Sequence, residues 1–196
     1  MAGLVLGGTF NPIHHGHLIC ARAVAELMGL DSAVLVPSAR PPHKPNHLNL
    51  APAADRLEMC RLAVAGSHFF AVEDLEIHRQ GASYTVDTAR ELRRRGWESV
   101  NWLIGSDTVP QLPTWHEAAM LLQEVRFIIM ERPGGSVDWN ALPPGYQKLR
   151  ANVVAAPHIE ISSTAIRARV AAGQAIDYLV PPAVQRYIDE HGLYKG

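Results

Sequence analysis

Gly7-Gly8-Thr9-Phe10-Asn11-Pro12-Ile13-His14-His15-Gly16-His17-Leu18 is the stretch on which the fold turns. A short apolar run, Leu4-Val5-Leu6, precedes it, and a helix-like stretch from Leu18 to Met28 follows. Two glycines and two spaced histidines therefore fall on a strand-to-helix turn, where an α/β fold binds phosphate. Glycine lets the backbone come close to an anion, and a helix N-terminus offers free N–H groups and a positive dipole end. His14 and His17 add side-chain donors at the same place. The glycines are adjacent, so this is not the G-x-G-x-x-G of dinucleotide-binding oxidoreductases. Zinc needs three or four ligands in settled geometry, whereas His14, His15, His17 and Cys20 crowd together across a turn. Core histidines and zinc remain alternatives; phosphate is the preferred ligand.

Outward from this turn, apolar runs alternate with helical periodicity. Leu4–Leu6, Ala33–Val36, Phe69–Val72, Asn101–Ile104 and Arg126–Met130 read as buried strands, with a sixth at Asn152–Ala155. Leu18–Met28, Ala53–Ala65, Thr85–Arg95 and Trp115–Leu122 read as amphipathic helices. Such alternation implies βαβ units, right-handed crossovers and ligands at the carboxyl ends of the strands. We therefore expect an α/β fold with a Rossmann-like, mainly parallel sheet flanked by helices. From Ser162 onward the chain reads as helix, link, helix, and Pro181-Pro182 suits the first turn of the last helix. A single domain over residues 1–196, with a C-terminal helical part from about residue 162, is expected.

Composition narrows the function. The chain has 196 residues, 47% of them apolar, enough for a real core. Lys plus Arg number 18 and Asp plus Glu 19, a net charge of -1, so the broad basic field of a general nucleic-acid binder is missing. Cys20 and Cys60 stand in no metal or redox spacing and read as buried thiols of a reducing compartment. No apolar run reaches membrane-spanning length, and the N-terminus lacks a basic leader region. The expectation is a cytoplasmic protein that binds neither nucleic acid nor membrane; a homo-oligomer is left open.

Two loops and two further constellations stand out. Pro37 to Pro52 holds five prolines together with Arg40, His43 and Lys44, too long and basic for a plain connector. Arg132 to Gly145 is rich in Gly and Pro and reads as a surface excursion. Arg93-Arg94-Arg95 before Gly96 is explained by cations at a helix C-terminus with a glycine cap. In Ile161-Ser162-Ser163-Thr164-Ala165-Ile166-Arg167, an N-cap explains one hydroxyl but neither all three nor Arg167. Hydroxyls, helix N–H groups and a guanidinium together suit a polyphosphate. Gly105-Ser106-Asp107 follows a buried strand, with Leu112 and Trp115 beyond; Trp115 offers a ring for stacking or for the core.

Taken in order, these stretches closely resemble the bacterial nicotinate-mononucleotide adenylyltransferases of the H-x-G-H nucleotidyltransferase superfamily. The matching segments are GGTFNPIHHGHL at 7–18, PPHK at 41–44, SYTVDTARELR at 83–93, WLIGSDTVPQLPTW at 102–115, ERP at 131–133, ISSTAIRARV at 161–170 and YLVPPAVQRYIDEHGLY at 178–194. The resemblance implies an enzyme joining ATP to nicotinate mononucleotide, releasing pyrophosphate and giving deamido-NAD for NAD biosynthesis. It implies His14, His17 and Arg167 as the catalytic groups, with phosphate favouring protonated imidazoles. Gly7, Gly8, Thr9, Phe10, Gly105, Asp107, Ser162, Ser163, Thr164 and Ile166 would complete the ATP site. Asn11, His43, Lys44, Tyr84, Thr85, Asp107, Trp115 and Arg132 would hold the mononucleotide. Mg²⁺ would ride on the phosphates without protein side-chain ligands. Asn11 stands where many members carry Asp. The alternatives are an adenylyltransferase for nicotinamide mononucleotide or another small acceptor, and a non-catalytic nucleotide sensor.

Overall fold

Ala33–Pro37 is buried at every position, which requires a strand covered on both faces. In the computed structural model, which describes residues 2–42, 49–131 and 137–195, this strand is β2. The other strands are β1 (Ala2–Gly8), β3 (Phe70–Val72), β4 (Ser99–Gly105), β5 (Arg126–Met130) and β6 (Val153–Val154). All pair in parallel, in the order β3-β2-β1-β4-β5-β6. The connecting helices are α1 (His15–Leu27), α2 (Ala53–Ala63), α3 (Thr85–Arg94) and α4 (Ala118–Glu124). Two more, α5 (Ser163–Ala171) and α6 (Pro182–Glu190), complete the chain. This is the expected Rossmann-like arrangement, and its strand order reverses between β1 and β4, where such sheets bind ligands.

Side chains alternate between the faces. Val5, Val34 and Phe127 join Val86 and Leu92 of α3 on one face. On the other, Leu4, Leu103 and Ile128 meet Ala21 and Val24 of α1. Leu35 extends that second face to Met59 of α2, Ile166 of α5 and Val184 and Ile188 of α6. The C-terminal helices thus share a core with β2 and α2.

Three differences from expectation bear on the site and its surroundings. α1 starts three residues before Leu18, at His15, which carries His17 into its first turn. α4 starts at Ala118, not Trp115, because Ser106–Thr114 winds as a 3-10 helix containing Pro110 and Pro113. Proline removes N–H donors and suits short tight turns better than an α-helix. The expected surface excursion is also partly core. Leu142 is buried within it, and Tyr146 and Leu149 just beyond it are buried on a second 3-10 helix, Pro144–Asn152.

One buried charge ties these elements together. Arg56 of α2 is wholly inaccessible to solvent. Its Nε donates to the Ala51 carbonyl at 2.9 Å, and its Nη1 to those of Thr9 and Ser38, each at 2.6 Å. Nη2 donates to the Ala39 carbonyl at 3.2 Å. Burial lowers the guanidinium's pKa, yet arginine remains protonated in proteins. The segments after β1 and β2 are thereby pinned to the start of α2. Arg56→Met should keep the stem's volume but strand these carbonyls, at about 1–3 kcal/mol for each left without a donor. We expect a loss of at least ~3 kcal/mol, read as a fall in Tm of roughly 6–12 °C by differential scanning calorimetry.

Candidate active site

A cavity of about 1200 Å³ opens over the carboxyl ends of β1 and β4. Its floor is the turn between β1 and α1. Phe10 has a φ of +46°, a left-handed conformation uncommon for a bulky residue, and its ring is buried. That ring meets the His17 imidazole edge to face, with centroids 5.2 Å apart. The His14 and His17 rings stack at 3.7 Å. His14 N–H donates to His17 Nδ1 at 3.3 Å. This backbone bond holds the His17 ring in place through Nδ1.

The glycines of this turn make room for rings. A Cβ on Gly16 would lie 3.1 Å from His14 Nδ1 and 3.3 Å from Ile159 Cγ2. A Cβ on Gly7 would fall 2.3 Å from Trp102 Cζ2. Close backbone approach to an anion, the reason expected for Gly7, is joined by a packing constraint from β4.

The start of α5 forms a second wall. Ser162 Oγ accepts from the Ala165 N–H at 3.1 Å, an ordinary cap. Ser163 Oγ donates to the Pro12 carbonyl at 2.8 Å, and Arg167 Nη1 to the Asn11 carbonyl at 2.8 Å. Arg167 Nη2 reaches Thr164 Oγ1 at 3.5 Å. Arg167 Nε is buried and has no acceptor among the described residues. A stranded donor is costly until an acceptor arrives.

The third wall is the start of α3, with Ser83, Tyr84 and Thr85 facing the cavity. Tyr84 stacks on His116 at 4.1 Å. Trp115 lines the cavity and also packs edge to face with Phe127 of the core, with centroids 6.2 Å apart. Beneath this wall lies Glu76, only 4% exposed, accepting from Thr88 Oγ1 at 2.7 Å. Burial raises its pKa; hydrogen bonds from Thr88 and Ser83 and the charge of Arg79 oppose the rise.

Most residues singled out from the sequence converge here. Gly7, Gly8, Thr9, Phe10, Asn11, His14 and His17 line the cavity, as do Ser162, Ser163, Thr164 and Arg167. Gly105, Tyr84, Thr85 and Trp115 complete the set. Two do not belong among the described lining residues. Ile166 is fully buried in the core beside α6, because the helical period that turns Arg167 to the cavity turns its neighbour away. Asp107 is exposed on the first turn of the 3-10 helix after β4. His43, Lys44 and Arg132 lie outside the described residues. Asn11 lines the cavity, but its amide is committed to the protein. Nδ2 donates to the Asn49 carbonyl at 2.8 Å, and Oδ1 accepts from Ala51 N–H at 3.0 Å and from the Tyr194 hydroxyl at 2.8 Å. Sequence reasoning passed over Glu76, Ser83 and His116. The one available signal for Glu76 is its place between apolar Leu75 and Ile77.

A profile of the cytidylyltransferase-like family matches residues 5–169. A Roseiflexus protein named probable nicotinate-nucleotide adenylyltransferase is 40% identical over 193 residues, spanning 97% of this chain and 96% of its own. A Synechococcus protein (strain JA-3-3Ab) of the same name is 42% identical over 193 residues, spanning 97% and 93%. The chain belongs to the nicotinate-nucleotide adenylyltransferase family. The fold agrees. A Plasmodium falciparum nicotinic acid mononucleotide adenylyltransferase, solved in complex with NaAD, superposes with a TM-score of 0.75 at 21% identity, over 98% of this chain and 97% of that one. In this adenylyltransferase-family chain, the matching segments 7–18, 83–93, 102–115 and 161–170 each contribute residues to the cavity lining.

Glu76 gives the site a pH signature. Its raised pKa means that its contribution to stability is fully present below the ordinary glutamate range. That contribution is lost as pH rises from the ordinary value through the raised one. Glu76→Gln keeps an acceptor for Thr88 and has no charge to bury. The variant's Tm should gain on the wild type as pH rises from 4.5 to 8, measured by thermal melts across that range. A constant difference would mean that Glu76 is ionised without penalty.

Proposed function

We propose that this chain transfers the adenylyl group of ATP to nicotinate mononucleotide, forming deamido-NAD and pyrophosphate in NAD biosynthesis. One observation carries the reading. The stacked His14–His17 pair, the Arg167 guanidinium and the start of α3 all face one cavity large enough for two nucleotides. The names of the relatives support the same activity.

The chemistry asks little covalent work of the protein. A phosphate monoester has its second pKa near ~6 and is largely dianionic at neutral pH. An oxygen of the mononucleotide phosphate attacks the α-phosphorus of ATP. The new P–O bond forms as the bond to the β-phosphate bridging oxygen breaks, and pyrophosphate leaves with that electron pair. No general base or enzyme nucleophile is needed, so catalysis consists of alignment and charge stabilisation. His17 Nε2–H, aimed by the backbone bond on its other nitrogen, donates to phosphate oxygen as negative charge grows. Arg167, with Thr164 and the N–H groups opening α5, holds the triphosphate. Ser163 serves from behind, tying α5 to the Pro12 carbonyl.

The donor set fits a magnesium-bound triphosphate. The groups facing the phosphates are imidazole, hydroxyl and guanidinium, and no cluster of three metal-ligating side chains occurs among the described residues. Mg²⁺ on the phosphate oxygens, largely water-ligated, would neutralise part of their charge. Trp115, Tyr84 and Thr85 hold the pyridine end, and the N–H groups at the start of α3 meet the nicotinate carboxylate. No side chain need supply a full positive charge there, because oriented N–H donors and the helix dipole favour an anion.

Pyrophosphate release with Mg-ATP and a panel of acceptors tests the assignment. Nicotinate mononucleotide should exceed nicotinamide mononucleotide by tenfold or more in kcat/KM, because the amide sets donor against donor at roughly 1–3 kcal/mol for each group stranded. Equal values would remove the nicotinate preference, and ATP binding without turnover would indicate a sensor. His17→Ala should lower kcat by ~10²–10³ with Tm within a few degrees of wild type. A kcat within a few-fold would remove His17 from the phosphate site.

A further inference from the structure

The last turn of the chain reaches back to the phosphate turn. Gly192 and Tyr194 both have left-handed φ values, +59° and +63°, so the backbone reverses after α6. The Tyr194 hydroxyl donates to Asn11 Oδ1 at 2.8 Å across 183 residues of sequence. Asn11 is the meeting point of three segments. Its side chain joins Tyr194 to Asn49 and Ala51, and its carbonyl accepts from Arg167 Nη1 at 2.8 Å. The adjacent Pro12 carbonyl holds Ser163. The catalytic arginine and the opening of α5 therefore both rest on two consecutive carbonyls, whose position depends on the Asn11 amide.

We propose that Tyr194 is a positioning residue for ATP, fixing Asn11 so that its carbonyl holds the Arg167 guanidinium in the orientation that grips the triphosphate. Tyr194 touches no reacting atom; it acts through Asn11 and Arg167. Its hydroxyl suits this task. Burial raises its pKa, against the opposing pull of the Arg167 and Arg56 charges, so it remains a donor throughout the neutral range. Asn11 suits it as well. An amide donates to the Asn49 carbonyl while accepting from both Tyr194 and Ala51, a pattern that a carboxylate cannot complete. Asn11 is thus assigned to the framework rather than to the mononucleotide. Loss of the hydroxyl leaves the amide with Asn49 and Ala51 alone, and the Arg167 perch is free to shift.

The inference rests on the proposed role of Arg167 in holding ATP, and binding measurements judge it independently of turnover. Mg-ATP and nicotinate mononucleotide are titrated separately by calorimetry into wild type, Tyr194→Phe, Arg167→Met and the double variant. Tyr194→Phe should weaken Mg-ATP binding about 5- to 20-fold, change mononucleotide binding less than twofold, and keep Tm within ~3 °C. In the Arg167→Met background the same change should cost less than twofold, because residues acting in one chain are not additive. Additive losses, equal weakening of both ligands with a large fall in Tm, or unchanged ATP affinity in Tyr194→Phe would each overturn the proposal. So would Arg167→Met binding Mg-ATP as well as wild type. A chain that binds ATP as described yet transfers no adenylyl group would fail the enzymatic assignment and leave the role of Tyr194 standing.

Discussion

The buried guanidinium of Arg56 is the constraint on which the site depends. A charge withdrawn from water is tolerated only when its donors are met. Here they are met by backbone carbonyls from the segments after β1 and β2 and from the start of α2. Parallel sheets leave such segments at their carboxyl ends without ladder partners. A single cation supplies the missing donors and fixes the spacing between loops that must jointly border a substrate. Thr9, held this way, opens the turn that carries both histidines.

A second layer of order is built on that one. The histidine turn carries a capping box built of two imidazoles in place of the usual hydroxyl and carboxylate. Its rings stack, one imidazole accepts from the other's backbone, and glycines beneath and beside them leave the required space. The opposite wall is secured by α5, whose hydroxyl and guanidinium groups bond to the backbone of the same turn. Protein–protein bonds thus account for much of a motif whose composition suggests direct phosphate contact. Such preorganisation is what a reaction without covalent catalysis requires.

The fold was largely legible from hydrophobic period, because uninterrupted apolar runs identify doubly covered strands and spaced ones identify helices. Less legible were features whose partners are backbone atoms. Among the described residues Arg56 bonds to carbonyls, which carry no residue identity, so on a helix it reads as a solvated cation. Glu76 is hidden for a similar reason, buried by tertiary packing beside a threonine twelve positions away. The start of α4 was misplaced because Pro110 and Pro113 wind the preceding segment as a 3-10 helix. Ile166 shares its motif's sequence, but the helical period sets its side chain in the core. The commitment of the Asn11 amide could not be read at all, since its partners are distant in sequence.

The span of those contacts bears on how the protein is made. A ribosome releases the histidine turn early, with the first strand and helix, but Ser163 and Arg167 are joined to it only after most of the chain has been translated. Tyr194 closes the set at the far end. A nascent polypeptide can therefore complete much of its sheet before the α5 wall is bonded to the histidine turn. The two walls of the cavity thus belong to distant parts of one chain, and their joining is among the last contacts that folding can make.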